Sequence, residues 1–411
     1  MPRFDPFIGL RYGPDATDLS GVVCPPYDVI NETGRKALET EDDANCVRLE
    51  LPQPAGGLDR YHAAAAILDR WRRPGGPLVA DDGPSFYVYR MGFKDDAGHP
   101  RQTTGVLGAL GLEPPGEGIL PHERTTPKDK QDRLDLLRAT RTNLSPIWGL
   151  SLAAGLSGLC DVDGPPDAQA TDAGGVLHQL WRVTQPGLLD AISSTVGSAP
   201  VVVADGHHRL EVALAYQAEQ REAGAGAGPH DALLAFVVEL SEDELAVAPI
   251  HRLLDGLPSG VDPVEVLAPW FDATPTAAPD ATIAARMADA GSMCLVSRRG
   301  TWLLRPRPVL DAAPMDLDSS RLDIALVDLA ASGVSVRFQH GWDHVVTAVD
   351  EGAADAGVLL RPATVAQIAD VADKRERMPP KTTFFTPKLA TGLVFRSLDD
   401  QIAPTTEAVG A

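Results

Sequence analysis

The sequence has few cysteines, and they follow no pattern. Only four of its 411 residues are cysteine, and no two of them form a C-x-x-C pair: they are Cys24, Cys46, Cys160 and Cys294. This spacing argues against a zinc ribbon and against a thioredoxin-type redox site. The simplest interpretation is that the thiols stay reduced and that the protein is cytoplasmic.

Long apolar runs and an excess of positive charge are also missing. No apolar stretch approaches the ~20 residues that a transmembrane helix needs, and the N-terminus lacks the basic and apolar segments of a signal peptide. Lys and Arg number 36 against 57 Asp and Glu, which gives a formal net charge of −21. Nucleic-acid binding depends on neutralising phosphates. We therefore expect neither a nucleic-acid nor a membrane partner.

Three familiar catalytic motifs are absent. The sequence contains no G-x-x-x-x-G-K-[ST] loop, no G-x-S-x-G elbow and no H-E-x-x-H helix, so a Walker-type ATPase, an α/β-hydrolase and a zincin are not indicated. What is present is an ordinary globular composition, 44% hydrophobic and 23% charged, with ample core for a folded protein. Residues 1–55 are rich in turn formers, and residues 256–345 are weakly patterned and are interpreted as a smaller α/β region.

The most informative stretch is an apolar run followed by a polar turn: Val201–Ala204, then Asp205, Gly206, His207, His208 and Arg209. The run predicts a buried strand, Asp-Gly a turn, and the following residues an amphipathic helix. A helix N-terminus presents unpaired N–H groups and a positive dipole end, and an arginine adds a permanent charge. The stretch therefore predicts a phosphate site. The alternative is a structural junction in which Asp205 caps the helix.

A second candidate is the segment Pro121–Lys128 (PHERTTPK), which precedes a helix predicted from Thr126 to about Thr140. Glu123 could act as a general base or bind a metal, and Arg124 and Lys128 could bind a second phosphate. The alternative is a solvated polar loop.

The third candidate is Asp28, which follows Pro25-Pro26-Tyr27. The prolines present it rigidly, so it could take a proton or bind magnesium, or it could simply cap the next segment.

The fourth candidate is the basic segment, residues 374–396, which carries six basic residues and one acidic residue in an acidic chain. It is too rich in proline for a helix and predicts an ordered loop that leads into a strand at Leu393–Arg396. Such a loop fits a small anionic ligand; the alternative is charge balancing. The pair His251-Arg252 is predicted to end a strand over Leu245–Ile250 and is a weaker candidate.

A metal site is the competing interpretation of the same residues. It would combine Asp205 and one of His207 and His208 with His122 and Glu123, but the histidine spacing matches no standard zinc pattern.

Several blocks together resemble a known family. C-P-P-Y-D-V-I, P-H-E-R-T, N-L-S-P-I, V-A-D-G-H-H-R and M-P-P-K-T-T-F-F-T-P-K-L-A-T-G-L, in this order, resemble the bacterial and archaeal family named domain of unknown function 1015. The resemblance runs from about residue 5 to residue 396. It implies family membership and no particular reaction.

The D-G-H-H-R block also resembles the phosphate-binding turn of the ParB/sulfiredoxin superfamily. Gly206, His208 and Arg209 match the Gly-Cys-His-Arg turn of sulfiredoxin, while His207 stands where the reactive cysteine would be, which argues against sulfinic acid reduction. The free-serine kinases of this superfamily have a similar Asp-Gly-His turn. The resemblance implies an α/β (α+β) fold with a ParB/sulfiredoxin-like mixed-sheet core over residues 1–255. The smaller region, 256–411, would return its basic loop to the site.

Together these observations predict a nucleotide-dependent phosphotransferase that acts on a small hydroxylated metabolite such as serine, with ATP or ADP and Mg²⁺ as cofactors. Catalysis is assigned to Asp28, Glu123 and His208, and the metal to Asp28 and Glu123. The phosphates are assigned to eight residues: Asp205, Gly206, His207, His208, Arg209, Arg124, Lys381 and Lys388. A metal-dependent phosphatase and a non-catalytic nucleotide-binding regulator remain alternatives, and a homodimer is allowed for.

Overall fold

The structure, a computed structural model, describes residues 1–13, 16–95, 98–114, 116–123, 130–258 and 260–399. These residues form helices and mixed sheets, so the predicted α/β class with a mixed-sheet core is confirmed. No helix within the described ranges is both long enough and apolar enough to cross a membrane.

The helices of the described ranges are mostly short. They are α1 (Glu32–Glu41), α2 (Val47–Glu50), α3 (Arg60–Trp71), α4 (Gln131–Thr140), α5 (Leu156–Leu159), α6 (Pro186–Val196), α7 (His207–Glu222), α8 (Pro263–Leu267), α9 (Ile283–Ala290), α10 (Asp318–Ala331), α11 (Trp342–Asp350) and α12 (Val365–Asp373). The start predicted for α4 at Thr126 lies outside the described residues. The turn-rich first 55 residues contain α1, which the sequence pattern did not reveal.

The strands are β1 (Phe4–Asp5), β2 (Gly9–Tyr12), β3 (Leu78–Ala80), β4 (Phe86–Lys94), β5 (Pro100–Gly111), β6 (Ile119–Pro121), β7 (Thr142–Asn143), β8 (Ile147–Ser151), β9 (Ala168–Thr171), β10 (Leu177–Val183), β11 (Val201–Asp205), β12 (Ala232–Glu239), β13 (Ala246–Pro249), β14 (His251–Asp255), β15 (Phe271–Thr276), β16 (Met293–Ser297), β17 (Gly300–Pro306), β18 (Ser335–Gln339), β19 (Ala356–Leu359), β20 (Thr383–Thr386) and β21 (Phe395–Ser397).

The largest sheet has the order β6-β11-β8-β12-β5-β4-β10-β9, with β1 on β5. Strand β11 pairs parallel with β6 and antiparallel with β8. Its side chains alternate between two cores, because Val202 packs on one face of the sheet and Val201 and Val203 pack on the other. A strand that is covered on both faces must be apolar throughout, which accounts for the Val-Val-Val run.

A second, six-stranded antiparallel sheet has the order β15-β17-β16-β19-β14-β18 and its own cores. The prediction for His251-Arg252 is wrong: β13 ends at Pro249, and His251 and Arg252 open β14 instead of closing a strand. Both are buried there because β14 lies between β18 and β19.

The basic segment connects the two parts of the chain. Its strand β20 pairs with β13, and β21 pairs with β2 and β7. The predicted domain boundary at residue 255 stays a prediction, and these pairings place strands from after that residue beside strands from before it.

Candidate functional site

The candidate site lies at one edge of the largest sheet, where two parallel strands end. Because β6 and β11 run in the same direction, their carboxyl ends place His122 and Glu123 beside Asp205 and Gly206. In open α/β sheets ligands bind in the crevice outside the carboxyl ends of parallel strands. The direction of the two strands therefore predicts a ligand site at this edge of the sheet.

Gly206 makes the turn from β11 into α7. Its φ of 91° is left-handed, and a Cβ at this position would lie 2.9 Å from Cγ2 of Ile147. Glycine is the residue that adopts this conformation without strain and leaves room for a close approach. Helix α7 then begins at His207, so its first N–H groups and the positive end of its dipole are presented at the sheet edge.

A chain of charged side chains crosses the turn. Lys388 Nζ donates to Oδ1 of Asp205 at 3.2 Å, and Arg209 Nη2 donates to Oδ2 at 3.1 Å. Burial raises the pKa of Asp205, but the charges of Lys388 and Arg209 outweigh it, and the pKa lies below its ordinary value. Arg209 also donates to the carbonyl oxygen of Pro146. Two cations thus share one carboxylate, which leaves one net positive charge at the turn.

His122 is buried and neutral. Burial lowers its pKa, its Nδ1 lies against the carbonyl oxygen of Val203, and its Nε2 lies 2.7 Å from the hydroxyl of Thr383. Because a carbonyl oxygen only accepts, the proton is on Nδ1, and Nε2 accepts from Thr383. His122 therefore joins β11 to β20 and is satisfied without a metal.

His207 and His208 both face the cleft, and the Nε2 atom of each is buried without a hydrogen-bond partner in the described residues. Burial lowers the pKa of His207 to about 3, with a further contribution from His122, whose ring centroid lies 5.2 Å away. His207 is therefore neutral at pH 7. It can offer a hydrogen bond to an anion but adds no charge.

Glu123 orders the basic segment. Its Oε1 accepts the backbone N–H of Lys381 at 2.7 Å, and its Oε2 accepts that of Thr382 at 3.2 Å. Lys381 has a φ of 59°, which is unusual for a residue with a side chain. Glu123 thus holds in place the turn that presents the exposed Lys381 side chain.

Six separate parts of the chain enclose a cleft of about 420 Å³, here called the edge cleft, and this size is ordinary for a small-molecule site. Nine of the residues predicted for the site line it: Asp28, Glu123, Asp205, Gly206, His207, His208, Arg209, Lys381 and Lys388. Arg124, the remaining predicted residue, lies outside the described residues, as does Lys128.

Asp28 lies in a short 3-10 turn, Tyr27–Val29, and its exposed side chain makes no hydrogen bond or ion pair within the described chain. It is thus a carboxylate available to a ligand, whereas both oxygens of Glu123 accept backbone N–H groups. The described residues contain no group of three or more His, Cys, Asp or Glu side chains placed to hold a metal ion.

Sequence reasoning missed three residues of the cleft: Thr383, Phe384 and His340. Lys388 Nζ lies 4.6 Å from the ring centroid of Phe384, and the ring of His340 packs against the same ring in a tilted arrangement with the centroids 4.1 Å apart. Burial, together with Lys388 and Lys381, lowers the pKa of His340. The pattern T-T-F-F could have revealed β20, but nothing local marks His340.

A family model described as "Protein of unknown function (DUF1015)" matches residues 4–325. The chain belongs to this family. A search of curated proteins found no match.

Among solved structures, SbnI with a C-terminal truncation from Staphylococcus aureus is 14% identical over 69% of this chain and 85% of that chain, with a TM-score of 0.38. A free serine kinase in complex with AMP is 14% identical over 67% and 89%, with a TM-score of 0.34. A conserved hypothetical protein from Pyrococcus furiosus is 12% identical over 67% and 92%, with a TM-score of 0.35. These TM-scores are too low to bear on function.

Proposed function

We propose that the protein transfers a phosphoryl group from a nucleotide to a hydroxyl group of a small metabolite in the edge cleft. The observation that carries the proposal is the convergence on one cleft of a glycine turn, the start of α7, the Lys388–Asp205–Arg209 chain and the exposed carboxylate of Asp28. Phosphoryl transfer needs chiefly positioning and charge stabilisation, and this set supplies both.

The phosphates of the donor are assigned to the turn. The first N–H groups of α7 and the neutral ring of His207 donate hydrogen bonds to phosphate oxygens. His208 has a second unpartnered Nε2 at the same place. Lys388, whose side chain is partly exposed, provides charge beside Asp205. A bound phosphate competes with Asp205 for Lys388 and Arg209, so both cations can turn toward it without crossing the cleft.

Asp28 is assigned to the acceptor. In the transfer, the bond between the terminal phosphorus and its bridging oxygen breaks, and a bond from the acceptor oxygen to that phosphorus forms. The acceptor proton passes to the Asp28 carboxylate. Lys381, which Glu123 holds at the cleft, neutralises the transferred group.

Magnesium is the metal that phosphoryl transfer ordinarily uses. It binds through one or two carboxylates together with substrate phosphates and waters. Among the predicted ligands Asp28 fits this need, because Glu123 is occupied by backbone N–H groups. When bound, Mg²⁺ would neutralise charge on the phosphates. Holding the metal is the alternative role of Asp28, and it predicts that Asp28→Asn weakens nucleotide binding only when Mg²⁺ is present.

The test compares Lys388→Met with the control Lys374→Met. The control removes the same charge from the same basic segment, but from an exposed ion pair that Lys374 forms with Asp370 in the preceding helical turn. A hydrogen bond to a charged group contributes about 1.5–3 kcal/mol, so Lys388→Met should weaken ADP binding in calorimetry by roughly 10- to 100-fold. Lys374→Met should leave binding unchanged.

Turnover is measured separately, with ATP, ADP or pyrophosphate, Mg²⁺ and a panel of hydroxylated metabolites. We expect transfer to at least one acceptor, and we expect Asp28→Asn to reduce kcat. If the wild-type protein binds nucleotide but phosphorylates nothing in the panel, the protein is a nucleotide-binding regulator and the proposal is wrong.

A further inference from the structure

A second, larger cavity adjoins the edge cleft. Its volume is about 750 Å³, and we call it the apolar groove. The two cavities share Val29 and Lys388, which line both of them. A ligand that extends from the turn at Gly206 past Lys388 therefore enters the groove directly.

Part of the lining of the groove is apolar. Val23, Cys24 and Leu389 line it and are buried, and Ile30 and Leu38 line it and are half-buried. Val29, at the junction, is 54% exposed, which is unusual for a large aliphatic side chain beside a cavity. A flat apolar group seated at the junction would cover it and remove this area from water.

The charges of the groove exclude phosphate from its interior. Lys388 is the one Lys or Arg among its described lining residues, and it stands at the junction, whereas Glu41 and Asp172 line the groove itself. The Nε2 atom of His178 lies 3.3 Å from Oδ2 of Asp172. Burial raises the pKa of Asp172, but the contact with His178 and hydrogen bonds from backbone N–H groups together outweigh it, and the pKa lies below its ordinary value. These carboxylates repel an anion and suit a neutral group that carries N–H donors.

We infer that the apolar groove binds the nucleoside part of the phosphoryl donor, with the base against Val29, Ile30 and Leu38 and the phosphates running past Lys388 to the turn. The inference rests on the proposed function for its choice of a nucleotide. The groove is much larger than a three-carbon hydroxylated metabolite requires, so the acceptor is left to the edge cleft beside Asp28.

Gly34 allows the inference to be tested without disturbing the backbone. It lies in α1 on the wall of the groove, and an added Cβ would meet only Asn31 and Ile30, at 3.5 and 3.6 Å. Gly34→Leu therefore fills the groove and suits the helix better than glycine does. The matched control is Gly187→Leu in α6, where an added Cβ meets nothing within 4 Å.

The measurement is calorimetric binding of adenosine alone and of pyrophosphate alone, which needs no turnover. In the wild-type protein both should bind, neither should displace the other, and ADP should displace both. Gly34→Leu should weaken adenosine and ADP binding by more than about tenfold and leave pyrophosphate binding within about twofold. Gly187→Leu should change nothing.

Competition between adenosine and pyrophosphate in the wild-type protein would overturn the inference, and that measurement does not depend on the folding of any variant. The inference would also be overturned by a folded Gly34→Leu protein that binds ADP normally, or that loses adenosine binding and pyrophosphate binding equally. If ATP or ADP serves as donor while adenosine alone does not bind and Gly34→Leu leaves ADP binding unchanged, the groove inference fails and the proposed function stands. If adenosine binds as described but no transfer occurs, the inference stands and the proposed function fails.

Discussion

Replacing His207 tests the central feature of the site, a half-buried neutral imidazole at the start of α7. In the unfolded chain a histidine takes up a proton near pH 6.5. In the folded protein burial lowers the pKa of His207 to about 3. Between these two values the unfolded state binds more protons than the folded state, so the free energy of unfolding rises with pH through this window. The contribution is complete above about pH 6.5 and is lost as the pH falls toward 3.

The magnitude follows from the two pKa values. At pH 5 the folded ring is still neutral and the unfolded ring is almost fully protonated, so His207 alone lowers the free energy of unfolding by about 2 kcal/mol relative to neutral pH. His207→Asn removes the titrating group, and the difference in stability between about pH 7.5 and about pH 5 should shrink by that amount. His251, whose pKa burial also lowers to about 3, contributes with the same sign and stays in place in this variant.

The assay is urea unfolding of both proteins at the two pH values, followed by circular dichroism. His99→Asn is the matched control, because the His99 side chain is 75% exposed. An unchanged pH dependence in His207→Asn, or a ring of His207 that titrates near pH 6.5 by nuclear magnetic resonance, would show that the imidazole is hydrated. The assignment of neutral donors to the turn would then be wrong.

Two further predictions concern the turn and its support. Gly206→Ala should cost ~1–2 kcal/mol for its left-handed conformation and also abolish pyrophosphate binding, because the added Cβ would lie 3.1 Å from Cζ of Arg209 and displace that guanidinium from the turn. Gly224 has a φ of 85° and open space around it. Gly224→Ala should therefore lower the free energy of unfolding in the same way and leave pyrophosphate binding unchanged. Equal binding by the two variants would argue against a ligand at Gly206. Thr383→Val should cost about 1 kcal/mol because the buried Nε2 of His122 loses its hydrogen bond, and Thr386→Val in the same strand should cost less in parallel thermal melts. Equal costs would contradict the tautomer assigned to His122.

The turn at Gly206 was predictable because every signal for it is local. A β-branched run, an Asp-Gly pair and a polar helix start stand side by side in the sequence, and the structure contains β11, a left-handed Gly206 and α7 at these positions. Asp28 and Lys388 could be predicted as site residues from the residues next to them in the sequence. Their position beside this turn, however, depends on chain topology. That topology is set by long-range strand pairing, which no spacing records.

Local signals misled where proline dominated. Pro379, Pro380 and Pro387 flank β20 and suggested a loop. The strand forms nevertheless, because β13 pairs with it as an antiparallel partner. Proline is compatible with a sheet at an edge position, and Pro249 ends β13 opposite Thr383. Arg209 was expected to be free for phosphate, whereas its guanidinium also binds the carbonyl of Pro146, which gives the N-L-S-P block a role in orienting it.

The pairing of β2 with β21, Leu10 opposite Phe395, has a consequence for biosynthesis. Strand β2 finds this partner only after nearly the whole of the described chain has followed it from the ribosome. Lys381 and Lys388 emerge just before that partner, so Asp205 is made without one of its two cations. Contacts between such distant parts of a chain form slowly and late. The nascent protein therefore carries an unfinished sheet and an incomplete cleft until the basic segment has been made, and this segment completes both.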